Sequence, residues 1–312
     1  MPMRNSKQGC FAAIVICVGL QGCGARSGLL SRRADAGSTQ KHATPDAPTS
    51  SNASRLSAGH FHTCQLRGDG TITCWGKNSD RQATPPAGSF AQISAGLYHG
   101  CALGGDKSLA CWGKNGDGQS NSPSGSYLQI ASGGYHTCAL HTKGHAACWG
   151  RNIVGQSTPP PGLFVQITSG WYHSCGLRRD GSLACWGSDH YGESTPPSGQ
   201  FVEVICGFDF SCARRATGAV VCWGLDSSGQ RKIPAVSFSQ ISAGAHHVCG
   251  VVKGSGLVRC WGADDAGQST PPAGVAFSQI TAGSFHNCGL TRKAKILCWG
   301  RSREGQTTPP NP

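Results

Sequence analysis

Short stretches of alternating apolar and polar residues, separated by tight-turn residues, fill the chain from Ser57 onward. The segment 64–74 reads CQLRGDGTITC, in which two such stretches flank Gly-Asp-Gly, and this pattern predicts a β-hairpin. If Gly70 takes the positive φ of a bulged three-residue loop, Cys64 lies directly opposite Cys74. Opposed residues of antiparallel strands are about 4.5–5.5 Å apart, a distance that a disulfide tolerates.

Each hairpin is followed by Trp-Gly, a turn such as KNGDGQ (114–119), a Pro-bearing connection and an apolar stretch such as FVQI (164–167). The proline pair ends a strand. Three or four strands of about five residues, at about 3.3 Å per residue, use most of such a unit. The unit is therefore predicted to be one small antiparallel sheet, of the size of a propeller blade.

The same unit occurs seven times, at intervals of 37 residues that lengthen to 39 at the end. Each copy has two cysteines, and the second one precedes Trp-Gly. The predicted pairs are Cys64 with Cys74, Cys101 with Cys111, Cys138 with Cys148, Cys175 with Cys185, Cys212 with Cys222, Cys249 with Cys260, and Cys288 with Cys298.

The N-terminus has the features of an export signal. Arg4 and Lys7 precede an apolar run at 11–20, which is too short to cross a bilayer as a helix. Leu20 to Cys23 resemble a lipobox, so we expect a lipoprotein signal peptide over 1–22 and lipidation of Cys23. Ordinary secretion, with Cys23 as an incidental thiol, is the alternative. Residues 23–54, rich in Ser, Thr, Ala and Pro, are predicted to be a disordered tether.

The composition supports disulfides in an oxidising compartment. The chain of 312 residues has 18 cysteines, 46 glycines and only 13% charged residues. This balance is unsuited to long helices, and so many cysteines would not persist as disulfides in a cytosol. Metal binding is the alternative for the cysteine pairs, but two sulfurs per copy without CxxC knuckles do not make a zinc site. We expect no metal site and no cofactor.

The recurring elements AG-x-x-H-T-C-A-L, D-G-x-L, C-W-G and N-x-x-G-Q resemble the regulator of chromosome condensation repeat family, from Ser57 to Pro312. The compact unit is similar to that of bacterial propeller-type β-lactamase inhibitor proteins. The resemblance implies an all-β, seven-bladed β-propeller over 55–312. Because Leu56 stands where later copies have an apolar strand, we expect this segment to complete the ring near the last blade.

Two positions recur in nearly every copy and are therefore expected to serve the fold. One is the tryptophan after the second cysteine, for which a ligand-stacking ring is the alternative: Trp75, Trp112, Trp149, Trp186, Trp223, Trp261 and Trp299. The other is a histidine expected to hydrogen-bond backbone within or between blades: His62, His99, His136, His173, His247 and His286.

The residues just before that histidine differ between copies and are rich in aromatic rings. Equivalent positions of a propeller form a ring on one face, and aromatic residues are common anchors of interfaces. In the related inhibitor propellers an aromatic face grips the partner, which implies a similar use here; packing between blades is the alternative. The candidate partner-binding residues are Phe61, Tyr98, Tyr135, Trp171, Tyr172, Phe208, Asp209, His246 and Phe285.

The fifth copy departs most from the others: Phe210 replaces the histidine, Cys206 replaces an alanine and Arg214-Arg215 replaces an apolar pair. By count Cys206 has no partner, so it is a buried small residue, a free thiol or a link to another chain.

The net charge of +12 favours anionic partners. Nucleic acid is not expected among them, because the chain is predicted to be exported. No motif of an enzyme is present, and uniformly short loops leave little material for an active site. We therefore expect a monomeric, non-enzymatic binding or scaffold propeller of the cell envelope, in the outer membrane or secreted. It would touch the membrane through its lipid anchor only and recognise a protein or an anionic envelope component. A guanine-nucleotide exchange factor-like regulator and an exported glycan-acting enzyme are the alternatives.

Overall fold

The computed structural model describes residues 55–310, so the predicted signal peptide, the predicted tether and Cys23 lie outside the described residues. Within 55–310 every regular element is a β-strand, and the strands form seven three-stranded antiparallel sheets. The predicted all-β, seven-bladed propeller is confirmed. Each blade has three strands, which is the lower of the two numbers expected.

Each blade uses three consecutive strands, an inner one at the central channel, a middle one and an outer one. The inner strands are β1 (Leu56–Ala58), β4 (Phe90–Ala95), β7 (Tyr127–Ser132), β10 (Phe164–Ser169), β13 (Glu203–Cys206), β16 (Phe238–Ala243) and β19 (Phe277–Ala282). The middle strands are β2 (His62–Leu66), β5 (His99–Gly104), β8 (His136–His141), β11 (His173–Arg178), β14 (Phe210–Arg214), β17 (His247–Val252) and β20 (His286–Thr291). The outer strands are β3 (Ile72–Gly76), β6 (Leu109–Gly113), β9 (Ala146–Gly150), β12 (Leu183–Gly187), β15 (Val220–Gly224), β18 (Val258–Gly262) and β21 (Ile296–Gly300).

The hairpin of middle and outer strands follows the predicted register. Cys64 faces Cys74 and Leu66 faces Ile72, while Gly70 has a φ of 84°. All seven predicted disulfides are formed, each with 4.0 Å between its Cα atoms. Each disulfide therefore joins neighbouring strands of one blade and does not link one blade to another.

The recurring tryptophans join neighbouring blades. Trp112 Nε1 donates a hydrogen bond of 2.9 Å to the carbonyl oxygen of Gln82 in the preceding blade, and the equivalent bond occurs at all seven interfaces. Six of the seven side chains are buried and Trp149 is half-buried. A buried indole N–H needs an acceptor, so this bond makes tryptophan a specific requirement of the blade interface.

The recurring histidines are fully buried and also join blades, but the expected backbone partner was wrong. His99 Nε2 lies 2.9 Å from Thr137 Oγ1 of the next blade, and His136, His173, His247 and His286 likewise reach a hydroxyl or amide side chain. Side chains at this interface face each other, because the backbone amides and carbonyls are already used in the strand ladders.

His62 is the exception, since its imidazole has no hydrogen-bond partner among the described residues. The next blade has Gly100 at the position of the hydroxyl. A Cβ there would lie 2.5 Å from the Trp112 ring, which covers the backbone. Thr137 and Ser174 stand opposite Trp149 and Trp186 in the same register, so the ring of Trp112 approaches this closely because Gly100 has no side chain. His62 therefore lacks the hydroxyl partner that the other histidines have.

The first strand closes the ring as expected. β1 pairs with β2 and also contacts β19 and β20 of the last blade. Ala58 N donates to Thr281 Oγ1 at 3.0 Å, and Leu56 is buried in a cluster with Trp75 and Cys288. Closure thus uses the same kinds of contact as the other blade interfaces. Each blade, the first and last included, is built from three strands that are consecutive in sequence.

Candidate functional site

The variable residues before the histidine positions lie on one face of the propeller, as two concentric rings around the channel. The inner ring, formed by the first residue of each pair, lines the channel mouth with His60, Leu97, Trp171, Ala245 and Ser284 among its members. The outer ring contains Phe61, Tyr98, Tyr135, Tyr172, Asp209, His246 and Phe285. We call this surface the aromatic face.

The channel mouth is narrowed by side chains that reach across it. The ring centroids of Trp171, in the fourth blade, and His60, in the first, are 5.5 Å apart. His60 also bonds Ser284 Oγ at 2.7 Å, and burial with the nearby Lys77 and Arg301 lowers its pKa to about 4. The remaining cavity has a volume of about 70 Å³. This volume suits a few waters and excludes a sugar or nucleotide from the channel.

The aromatic rings form a continuous belt around most of the face. Tyr135 stacks on Tyr172 with 6.0 Å between centroids, and Phe61 stacks on Phe285 at 6.1 Å. Trp171 and Phe208 meet edge to face at 4.1 Å. These side chains are half-buried, so each packs against its neighbours and still presents part of its ring to solvent. Both interpretations of the belt, blade packing and partner contact, are therefore compatible with its geometry.

Cations stand over the aromatic belt on four consecutive blades. They occupy the position that follows Trp-Gly: Lys77, Lys114, Arg151 and Arg301. Lys114 Nζ is 5.2 Å from the Tyr98 ring and Arg301 lies 5.3 Å from both Phe61 and Phe285. Such contacts orient a cation above a ring without using its N–H donors. Arg151 additionally donates from Nε to Asp117 Oδ1 at 3.1 Å.

Asp209 is the one predicted site residue of the outer ring that is buried, at 9% exposure. Burial, together with the neighbouring Glu193 carboxylate, raises the pKa of its carboxyl to about 6 against an opposing effect of His190. Glu193 is itself buried and stands where other blades have glutamine. The fourth and fifth blades therefore place two carboxyl groups close enough for their charges to interact.

Three exposed apolar side chains on this face were missed by the sequence reasoning. Ile153, Val154 and Tyr191 are 73%, 43% and 48% exposed, in the turns after the outer strands of the third and fourth blades. The signal was available, because the two corresponding positions of the other five turns are occupied by polar residues, glycine or alanine.

Cys206 is a buried free cysteine in the described part of the chain, near the channel. One ligand atom from each of His173, Cys175 and Cys206 falls within 4.8 Å of the others. Cys175 is bonded to Cys185 and has no thiolate to offer, and burial raises the pKa of Cys206 to about 12. These groups do not match the thiolate donors that a metal site requires.

Seven disulfides indicate an oxidising compartment. Within residues 55–310 the structure has no helix of the length and hydropathy needed to span a membrane.

The family model described as regulator of chromosome condensation (RCC1) repeat matches residues 54–82, 90–119, 128–156, 164–193, 201–230 and 277–306. The blade that it leaves unmatched is formed by β16 to β18. Its paired cysteines are eleven positions apart in sequence, whereas those of the other blades are ten positions apart. No curated protein matches the chain significantly.

Several solved structures share the fold. The ectodomain of the receptor kinase CR4 from Physcomitrella patens is 28% identical with a TM-score of 0.69, over 79% of this chain and 73% of that one. The ectodomain of ACR4 from Arabidopsis thaliana is 23% identical with a TM-score of 0.69, over 80% and 96%. Prp20p from Saccharomyces cerevisiae is 16% identical with a TM-score of 0.65, over 79% and 82%.

The family model covers more than half of the residues, and the unmatched blade has the same strands, disulfide and tryptophan bond as the others. The chain therefore belongs to the regulator of chromosome condensation (RCC1) repeat family.

Proposed function

We propose that this protein is an exported, lipid-tethered binding propeller of the cell envelope, which holds a partner protein on its aromatic face without catalysing a reaction. The observation that carries the proposal is the belt of half-exposed aromatic rings with cations above it. Aromatic side chains and arginine are the residues that most often supply binding energy at protein interfaces. We propose a monomer, since the first strand closes the ring against the last blade without a strand from another chain.

The fold and its relatives support protein binding over small-molecule chemistry. A similar propeller binds proteins: Prp20p binds Gsp1p and histones. Two other similar structures are receptor ectodomains, which agrees with an exported chain rich in disulfides. The channel cavity of about 70 Å³ is too small for a metabolite, so the exposed rim is the surface left for recognition.

The test is capture of a partner by the oxidised, full-length protein from envelope extracts, with cytosolic extract in parallel. The variant W171A/Y172A/F208A should lose the partner. The matched control L128A/L163A/V202A removes three apolar side chains that are about half exposed. They lie next to the hairpin turns, at the ends of the strands opposite to the aromatic face, so this variant should keep the partner.

Circular dichroism melting identifies variants that lose binding through misfolding. Retention of the partner by a folded W171A/Y172A/F208A protein would contradict the proposal, and so would loss of the partner in the control alone. A partner captured only from cytosol would favour the exchange-factor-like alternative.

A further inference from the structure

The turns that surround the aromatic face differ in charge from one side of the ring to the other. The position after Trp-Gly is a cation on the seventh, first, second and third blades, which are consecutive around the closed ring. On the fourth, fifth and sixth blades the same position is Ser188, Leu225 and Ala263. In every blade the backbone N–H of this residue donates to the outer-ring residue, as Lys77 does to Phe61 at 2.8 Å, so all seven turns border the aromatic face.

The residue after this position has the same structural role on six blades, but it is neutral on three of them and negatively charged on the other three. On six of the seven blades its side-chain Oδ1 accepts a hydrogen bond from the backbone N–H five residues later, which closes the turn, and the seventh blade has Ser302 here. Asparagine does this on the first three blades and aspartate on the next three. The donor–acceptor distances are 2.9, 3.0 and 2.9 Å for Asn78, Asn115 and Asn152, and 2.8, 2.8 and 2.7 Å for Asp189, Asp226 and Asp264.

Because the same bond forms with either residue, the turn requires an acceptor and does not require a charge. At this position the carboxylates nevertheless fall only on the blades that lack the cation, whereas Asp80, Asp117 and Glu304 stand further along the turns of cation-bearing blades. We define the basic arc as Lys77, Lys114, Arg151 and Arg301, and the acidic arc as Asp189, Asp226 and Asp264. The aspartates of the acidic arc are exposed, and Asp265 and the buried Asp209 add negative charge on the same side. Arg231 and Lys232, directly after the turn of the fifth blade, are the cations on this side that offset part of it.

Exposed apolar side chains stand in the turns of the two neighbouring blades where the arcs meet, and we call these three residues the apolar patch. Ile153 and Val154 follow Arg151, the last cation of the basic arc, and Tyr191 follows Asp189, the first carboxylate of the acidic arc. The same two turns are hydrogen-bonded through backbone to Tyr135 and Tyr172, whose rings stack on each other. Charges at an interface determine the orientation of the partner and the rate of encounter, while buried apolar and aromatic side chains supply most of the affinity.

We infer that the partner is a protein segment that presents an apolar side chain between an acidic run and a basic run. The apolar side chain binds the Ile153, Val154 and Tyr191 patch, the acidic run lies along the basic arc, and the basic run lies along the acidic arc. This inference rests on the proposed function and adds the chemistry and the orientation of the partner. A uniformly anionic ligand is disfavoured, because half of the face would repel it.

Four synthetic peptides test the inference with the full-length, oxidised protein at low ionic strength. The block peptide joins an oligoglutamate run, a Phe-Leu centre and an oligolysine run. Its isomer has the same residues with the charges alternating, and two further peptides have glutamate only or lysine only around the same centre. We expect fluorescence anisotropy to show that the block peptide binds at least about tenfold more tightly than each of the others.

The chain itself supplies the matched variants. K77S/K114S/R151S introduces the residue found at 188, and D189N/D226N/D264N introduces the residue found at 78, 115 and 152. Each triple variant should keep its melting temperature and reduce the preference for the block peptide to less than about threefold. The control K143S/R179S/K293S changes hairpin turns at the opposite ends of the strands and should keep the full preference.

Equal binding of the block and alternating peptides, or equal binding of the glutamate-only peptide, would overturn the inference. The second result would indicate a general anion surface. Failure of all four peptides to bind would also count against the inference. The proposed function would still be tested separately, by capture of a partner from envelope extracts and its loss in W171A/Y172A/F208A.

Discussion

Val248 of the sixth blade packs in the same buried cluster as Phe210 of the fifth blade. At the equivalent interfaces a histidine of one blade meets a hydroxyl or amide of the next, as His173 meets Ser211 at 2.8 Å. Both members of the pair are apolar here. The sequence departure at Phe210 is thus a substitution of a polar contact by an apolar one, and the binding face need not be invoked to explain it.

This pairing predicts a measurable coupling between positions 210 and 248. F210H alone should lower the free energy of unfolding by about 1–3 kcal/mol, because the new Nε2 would be buried against Val248 without a partner. V248T should restore part of that loss by supplying the hydroxyl. A double-mutant cycle from urea unfolding should give a coupling energy of about 1 kcal/mol or more, and strict additivity would contradict the prediction.

The buried histidines predict loss of stability in mild acid. Burial lowers the pKa of His62, His136 and His286 to about 3 and that of His99, His173 and His247 to about 4. Unfolded histidine has a pKa near 6.5, so between pH 6.5 and 4 the unfolded chain binds more protons than the folded one. The contribution of the neutral, buried histidines to the free energy of unfolding is therefore fully present above pH 6.5 and is lost as the pH falls towards 4.

Calorimetric unfolding at pH 5 in buffers of different ionisation enthalpy should show uptake of about six protons. H173F/S211V, which copies the apolar pair at 210 and 248, should reduce the uptake by about one. An uptake near zero would show that the histidines are accessible and ionised in the folded protein.

Asp209 predicts the opposite pH dependence at a single site. Its folded pKa of about 6 lies above the ordinary value, so its ionisation destabilises the fold as the pH rises from about 4 to above 6. D209N should raise the midpoint of urea unfolding at pH 7.5, and the gain should disappear below pH 4. An unchanged midpoint at both pH values would refute the prediction.

The disulfides should be formed in every blade. In denaturant without reductant, alkylation and peptide mapping should find Cys206 modified and the fourteen paired cysteines of residues 55–310 protected. Without denaturant Cys206 should also be protected, because it is buried and its thiol has a pKa of about 12. Removing one pair, as in C138A/C148A, should lower the free energy of unfolding by about 2–4 kcal/mol.

The first strand should be required for closure. A chain beginning at Gly59 lacks β1 and with it Leu56, which is 1% exposed. It should melt well below a chain beginning at Ser54, since an inner strand and one blade interface are lost. L56A tests the packing alone and should cost about 2–5 kcal/mol. Equal melting of the two truncated chains would show that the ring closes without this strand.

Local patterns were sufficient to predict the blade. The hairpin 64–74, its register, Gly70 and the cysteine pairs were predicted correctly, because these contacts join residues about ten positions apart whose geometry is set by turn type and strand alternation. The seven-fold repeat predicted seven such units, and the resemblance to the repeat family implied that they close into a ring, in which each small sheet buries its apolar faces against its neighbours.

Contacts between blades could not be predicted in this way. The side-chain partner of His99 is Thr137, at a separation of 38 residues, and the sequence interpretation assigned it to backbone. The approach of Trp171 to His60 crosses the channel, and the burial of Asp209 depends on its neighbour Glu193. The sequence by itself determined what each blade is, because blades are built from local contacts. Only the closed ring decided which side chains of different blades meet, and therefore which residues of the aromatic face are buried and which are left for a partner.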